Sequence, residues 1–201
     1  MNKLIQSLSL LCVLAAPSAS AVVIFQDDFN GSNRNTVGNG WAEIEDQHND
    51  VGVTDGVMRL RDTQAGIDAA ATQSGFSTIG LTDIMLSYDG GASYNTEGAD
   101  SLFVEWRVSG SSTWNELIEH ALGGSALTSN VLAFGIAAAN QASIDFRFYT
   151  SVSATSERAL IDNVVLTGRT AAMAVSEPTT LALLGVALFG IGLRRRQSRS
   201  R

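Results

Sequence analysis

At 201 residues the chain has room for one domain of ordinary size, and its 16% share of charged residues, 19 glycines and two prolines suit short strands joined by polar turns. The net charge of −7 hides an asymmetry: five of the 13 basic residues occupy the last eight positions, whereas residues 22–175 hold nineteen carboxylates against seven arginines. So acidic a stretch repels phosphate backbones and excludes nucleic acid as a partner. The single cysteine, Cys12, lies in an N-terminal apolar run, so the chain beyond it has no disulfide, thiolate nucleophile or Cys-ligated metal.

Lys3, the apolar run 8–16 and the small residues Ala19, Ser20 and Ala21 predict a signal peptide over 1–21. Its apolar run is too short to span a bilayer, so the expectation is export through the Sec machinery and removal by signal peptidase after Ala21.

Residues 22–168 alternate between apolar and polar with period two, the pattern of strands with one buried face. Leu102, Val104, Trp106 and Val108 point one way and Phe103, Glu105 and Arg107 the other; Ile144, Phe146 and Phe148 oppose Asp145, Arg147 and Tyr149; Met58 and Leu60 oppose Arg59 and Arg61. Further strands are expected at 22–29, 41–45, 67–72, 83–89, 114–119, 131–134 and 158–167, with a long loop at 30–40 and a helical turn within 117–122. Turns fall at Asp55-Gly56, Asp89-Gly90-Gly91, Ser109-Gly110-Ser111 and Gly123-Gly124. The fold class is therefore all-β, an antiparallel β-sandwich of jelly-roll type, with a linker at 169–175.

The tail begins with Ser176, Glu177 and Pro178, continues uncharged over 179–193, and ends in a basic segment, 194–201, opened by Arg194, Arg195 and Arg196. As a helix the uncharged segment spans about 22 Å against a bilayer core of about 30 Å, which suits a short or temporary span. The arginines stay cytoplasmic by the positive-inside rule, which places the upstream domain outside the inner membrane.

This tail resembles the PEP-CTERM sorting signal: a Pro-Glu-Pro motif, a Gly/Leu/Ala-rich membrane segment and a terminal arginine cluster. Ser176 stands where the first proline is usual, leaving Glu177 and Pro178 as the core of the motif. The resemblance implies an exosortase as processing partner and a precursor anchored in the inner membrane of a Gram-negative bacterium. It also implies delivery to the cell envelope or extracellular matrix, in organisms that make exopolysaccharide and biofilm. Over 22–168 the chain is similar, more loosely, to jelly-roll carbohydrate-binding and MAM-like modules, through Phe25-Gln26-Asp27-Asp28-Phe29, the stretch from Leu102 to Val108 followed by Trp114, and the stretches opening at Ile144 and Leu160. Fold likeness alone does not assign a function.

The alternation in 158–167 puts Asp162 in phase with Leu160, Val164 and Leu166, aiming a carboxylate at an apolar face. The jelly-roll resemblance implies a structural Ca²⁺ held by Asp27 or Asp28 with Asp162; the alternative is that Asp162 accepts hydrogen bonds from backbone amides. No cofactor is otherwise required. Glu43 and Glu45 share a strand face at a spacing suited to glycosidase carboxylates, but so does any Glu-x-Glu strand. His48 and His120 are expected at the surface, with no nucleophile motif beside them. Trp106 and Trp41 read as core, and Trp114 and Tyr94 as exposed aromatics able to stack on a sugar. The expectation is a non-catalytic surface or matrix protein that binds exopolysaccharide; the alternative is a secreted, glycoside hydrolase-like enzyme.

Overall fold

The structure, a computed structural model, describes residues 19–62, 68–93, 95–124, 126–154 and 156–170. Most of the expected signal peptide, Tyr94 and the whole sorting tail with its membrane segment 179–193 lie outside the described residues. Among the described residues, two antiparallel sheets form a sandwich. The first has six strands: β3 (Val51–Thr54), β4 (Val57–Leu60), β11 (Ala159–Thr170), β6 (Leu81–Ala92) and β9 (Thr128–Ala133) in that order, with β1 (Ala21–Asp27) also paired to β11. The second has five, ordered β2 (Ala42–Ile44), β5 (Ala70–Phe76), β10 (Ile144–Ser151), β7 (Ser101–Val108) and β8 (Asn115–Ala121). Only the β3–β4 and β7–β8 connections stay within a sheet, and every other connection crosses between sheets, as in a jelly roll.

The core is built from the rows that the alternation assigned inward. Leu102, Val104 and Trp106 of β7, and Ile144, Phe146 and Phe148 of β10, meet Ile84, Leu86 and Tyr88 of β6 with Met58 and Leu60 of β4, all buried. Each such side chain contributes roughly 1.5–3 kcal/mol by leaving water. Trp41 stands at the centre of an aromatic cluster, edge-on to Phe146 at 5.6 Å and to Phe25 at 5.9 Å.

Four features depart from the sequence expectation. Residues 117–122 form no helical turn: residues 117–121 lie in β8, where pairing with β7 overrides local propensity. β3 was not foreseen; its run of two valines around Gly52 is short, and Gly52 is there because a Cβ would meet the Arg34 carbonyl at 2.6 Å. That close approach comes from the 30–40 loop, which lies against β3 through paired backbone bonds between Arg34 and Val53. β11 runs on to Thr170, two residues into the expected linker, because Ala21 pairs with Arg169 and Thr170 donates its amide to the Ser20 carbonyl.

The fourth departure concerns Asp162. Ile161 and Val164 both face the core, so the alternation slips by one at Asp162 and Asn163, and Asp162 does not enter the apolar face. Asn163 takes a left-handed conformation, φ 50°, and the register against β6 shifts between Asp162 and Val165. The bulge falls where β11 exchanges one neighbour for another: Ile161 is opposite Met58 of β4, and Val164 is opposite Asp27 of β1.

Candidate functional site

The outer face of the five-stranded sheet carries the most organised set of side chains, and Trp114, expected to be exposed, is half-buried among them. β7 and β10 pair in continuous register, which sets Arg107 opposite Asp145, Glu105 opposite Arg147 and Phe103 opposite Tyr149 on that face. Arg107 Nε donates to Asp145 Oδ2 at 2.9 Å and Arg147 Nε to Glu105 Oε2 at 2.6 Å. The Phe103 and Tyr149 rings stack with centroids 4.5 Å apart and planes 7° from parallel. Trp114 comes in from the β7–β8 loop, with the Arg107 guanidinium 4.2 Å and the Arg147 guanidinium 4.3 Å from its ring centre. Arg147 also lies 5.0 Å from the Tyr149 ring, so Trp114, Arg147, Tyr149 and Phe103 make one continuous row.

Burial by itself would raise the Asp145 pKa, but the Ser109 hydroxyl, the Arg107 guanidinium and the Gly75 amide outweigh it and hold the carboxyl below its ordinary range. Each guanidinium has a carboxylate partner, Arg107 in Asp145 and Arg147 in Glu105, which fixes both against the indole. Toward β2 the face continues with the short side chains of Ala70, Thr72 and Ala42, and with Ile44, which is 45% exposed. Toward β8 it is bordered by Glu116 and Glu119. The sequence had placed Phe103, Arg107, Arg147 and Tyr149 on outward faces, but not the adjacency of the two strands that makes a row of them.

A second feature is a cleft of about 380 Å³ between the sheets, lined by Gly90, Gly91, Leu102, His120, Gly123 and Asn130 among others. His120 is not a surface residue as expected: it lies opposite Leu102 on the inner side of β8, half-buried, with a ring nitrogen 2.6 Å from the Tyr88 hydroxyl. Burial pushes the Tyr88 phenol up and the His120 imidazole down, so both favour their neutral forms, and the tautomer of the ring decides which of them donates. His48 is at the surface, 3.6 Å from Glu45.

The carboxylates singled out from the sequence serve as hydrogen-bond acceptors. Asp27 takes the Phe29 amide on Oδ1 and the Trp41 indole and Asn39 amide on Oδ2. Asp28 takes the backbone and side-chain amides of Asn30, and Asp162 takes the Asn163 amide. Asp27, Asp28 and Asp162 lie in one neighbourhood with Asp89: burial first, then Asp89, Asp28 and Asp27, raise the Asp162 pKa. Three N–H donors occupy most of the acceptor sites of the Asp27 carboxylate, so hydrogen bonding accounts for this residue without a cation. Glu43 and Glu45 likewise anchor loops, accepting the Val37 amide and the Asp50 and Val51 amides respectively. Among the described residues, two other groups bring three carboxylate oxygens within 4.8 Å of one another: Asp46, Asp50 and Asp62, and Glu97, Asp100 and Glu157.

Residues 174–196 match the family model of the PEP-CTERM protein-sorting motif. The chain carries a PEP-CTERM sorting signal. It covers Glu177, Pro178 and the arginines 194 to 196, and it makes this an exported protein with a C-terminal, membrane-anchoring signal of the exosortase type. No curated relative matches the PEP-CTERM chain. Solved structures share the fold of the sandwich. The K3 cleaved adhesin domain of Lys-gingipain from Porphyromonas gingivalis w83 superposes with a TM-score of 0.50 at 14% identity, over 74% of this chain and 99% of that one. A carbohydrate-binding module of family 61 in complex with β-1,4-galactotriose gives 0.48 at 9% identity over 64% and 88%, and one of family 4 gives 0.47 at 15% over 64% and 94%.

Proposed function

We propose that this exported PEP-CTERM protein is delivered by an exosortase to the cell envelope or matrix, where its sandwich binds a neutral polysaccharide without cleaving it. The observation that carries the reading is the row Trp114, Arg147, Tyr149 and Phe103 on an open sheet face. Rings held by stacking and by neutralised guanidiniums present apolar area to a sugar face at little cost in side-chain entropy. The polysaccharide is neutral because both arginines are already ion-paired and the neighbouring strand adds Glu116 and Glu119, which disfavours an anionic chain. The non-catalytic reading is supported by the structural work of Glu43 and Glu45, whose oxygens hold loop amides. It fits the carbohydrate-binding modules that share the fold.

Affinity electrophoresis of the protein through gels containing neutral polysaccharides tests it. Retardation in at least one gel is expected, without release of reducing sugar. Trp114→Ala and Tyr149→Ala should each weaken binding by about tenfold or more, the equivalent of ~1.4 kcal/mol. Migration unchanged in every neutral polysaccharide would defeat the binding reading, and sugar release would replace it with the hydrolase. For sorting, deletion of residues 177–201 should leave the sandwich exported but absent from the surface; surface delivery of the truncated protein would show that the tail is not the address.

A further inference from the structure

The two ends of the sandwich differ in charge and in apolar exposure. One end gathers Ser20, the close of β11 at Thr170, and the loops 77–80, 109–114 and 134–143. It is a connected surface: the Thr170 amide bonds to Ser20, Leu81 pairs with Thr170, Thr78 is bonded to Ala138 and Gln141, and Ser109 to Ser143. None of those three loops contains a charged residue, and the strand charges beside them are balanced: Asp83 against Arg169, and Arg107 and Asp145, which are paired with each other and bonded to Ser111 and Ser109. Of the eight large hydrophobic residues exposed among the described residues, five are here: Ile136 at 94%, Ile79 at 65%, Val23 at 57%, Val108 at 39% and Val22 at 38%. The opposite end carries Glu45, Asp46, Asp50, Asp62, Asp68, Glu97, Asp100 and Glu157 against Arg59, Arg61 and Arg158.

We propose that the charge-free end is a lipid-facing surface, which rests on the bilayer while the sorting tail still anchors the precursor, with Ile79 and Ile136 entering the interface. The proposal rests on the reading of the tail as a membrane anchor. The chain leaves β11 at Thr170 and enters its uncharged segment at Thr179, a path of at most about 30 Å even when fully extended. The tether thus leaves the sandwich from the charge-free end. Two isoleucines on loops without charge can enter the headgroup boundary without dragging an ion out of water, as interfacial apolar groups do. The acidic end is repelled by anionic headgroups, which turns the sandwich the same way. Release of the tail removes the tether, and two side chains alone are too small an anchor to keep the domain on lipid.

The test uses the exported precursor with its tail, in a Cys12→Ser background, reconstituted in phosphatidylethanolamine–phosphatidylglycerol vesicles that contain lipids brominated on the acyl chain. A fluorophore is attached to Ile136→Cys or, at the opposite end, to Gly98→Cys. Quenching by brominated lipid is expected at position 136 and not at 98, and adding Ile79→Asp should reduce it at 136. If the precursor floats with the vesicles but position 136 is no more quenched than position 98, the lipid-facing end is refuted while the anchor stands. Shielding of 136 from an aqueous quencher without lipid quenching would mean a second copy covers it, and would refute the proposal equally. If the precursor does not float, the anchor reading fails and the proposal with it.

Discussion

The Tyr88 hydroxyl and the His120 ring form one of the few polar contacts inside the sandwich, and the pair makes stability depend on pH in a definite direction. Burial lowers the His120 pKa from its ordinary 6.5, so the folded protein binds that proton less readily than the unfolded chain. The contribution of the neutral ring is complete above about 6.5 and is lost as pH falls below it. His120→Gln keeps a hydrogen-bonding partner for the phenol but does not titrate. Compared across pH 8 to 5 by thermal melting, wild type should lose stability relative to H120Q on the acid side and hold a constant difference above pH 7. A difference that stays flat throughout would show that the imidazole does not titrate in that window.

At the scale of the element, glycines in β6 record how closely the cleft loop approaches. A Cβ on Gly91 would meet the Ala126 carbonyl oxygen at 2.7 Å and the Leu127 amide at 3.0 Å, both backbone atoms that cannot rotate away. Gly91→Ala should therefore cost about 1–3 kcal/mol in urea unfolding, as overpacking does. Gly98→Ala, where nothing lies within 4 Å, should leave the midpoint nearly unchanged. Equal midpoints for the two variants would mean that the 122–127 loop yields freely. Strand identity was readable wherever alternation ran for three or more pairs, as in β7 and β10, because one buried face dictates every second residue. It was misread at Asp162, because a bulge needs only one residue in the left-handed region and leaves no mark in the pattern beyond an asparagine. The row on the outer face was half legible: the outward residues were named, but which strand lies beside which is decided by long-range pairing.

For the molecule as a whole, carboxylates outnumber arginines by twelve between residues 22 and 175, and eight of them crowd one end. Their mutual repulsion opposes the compact state and is screened by salt over a Debye length of about 8 Å at 0.15 M. The melting temperature should rise as sodium chloride is raised from a few millimolar to 0.15 M, and rise less in Asp46→Asn and Glu97→Gln. A melting temperature indifferent to salt would show that local amide bonds already compensate the acidic loops.

β11 lies between β6 on one flank and β4 and β1 on the other, and among the described residues β1 has no strand partner but β11. The keystone of the six-stranded sheet is thus the last of the described strands in chain order. A chain threaded outward from its N-terminus must keep its first strand waiting until residue 170 has crossed the membrane. Fewer than ten residues separate that event from the arrival of the sorting motif, so maturation of the cargo and presentation of its address coincide. A polypeptide that stops before β11 would offer neither the closed sheet nor the address.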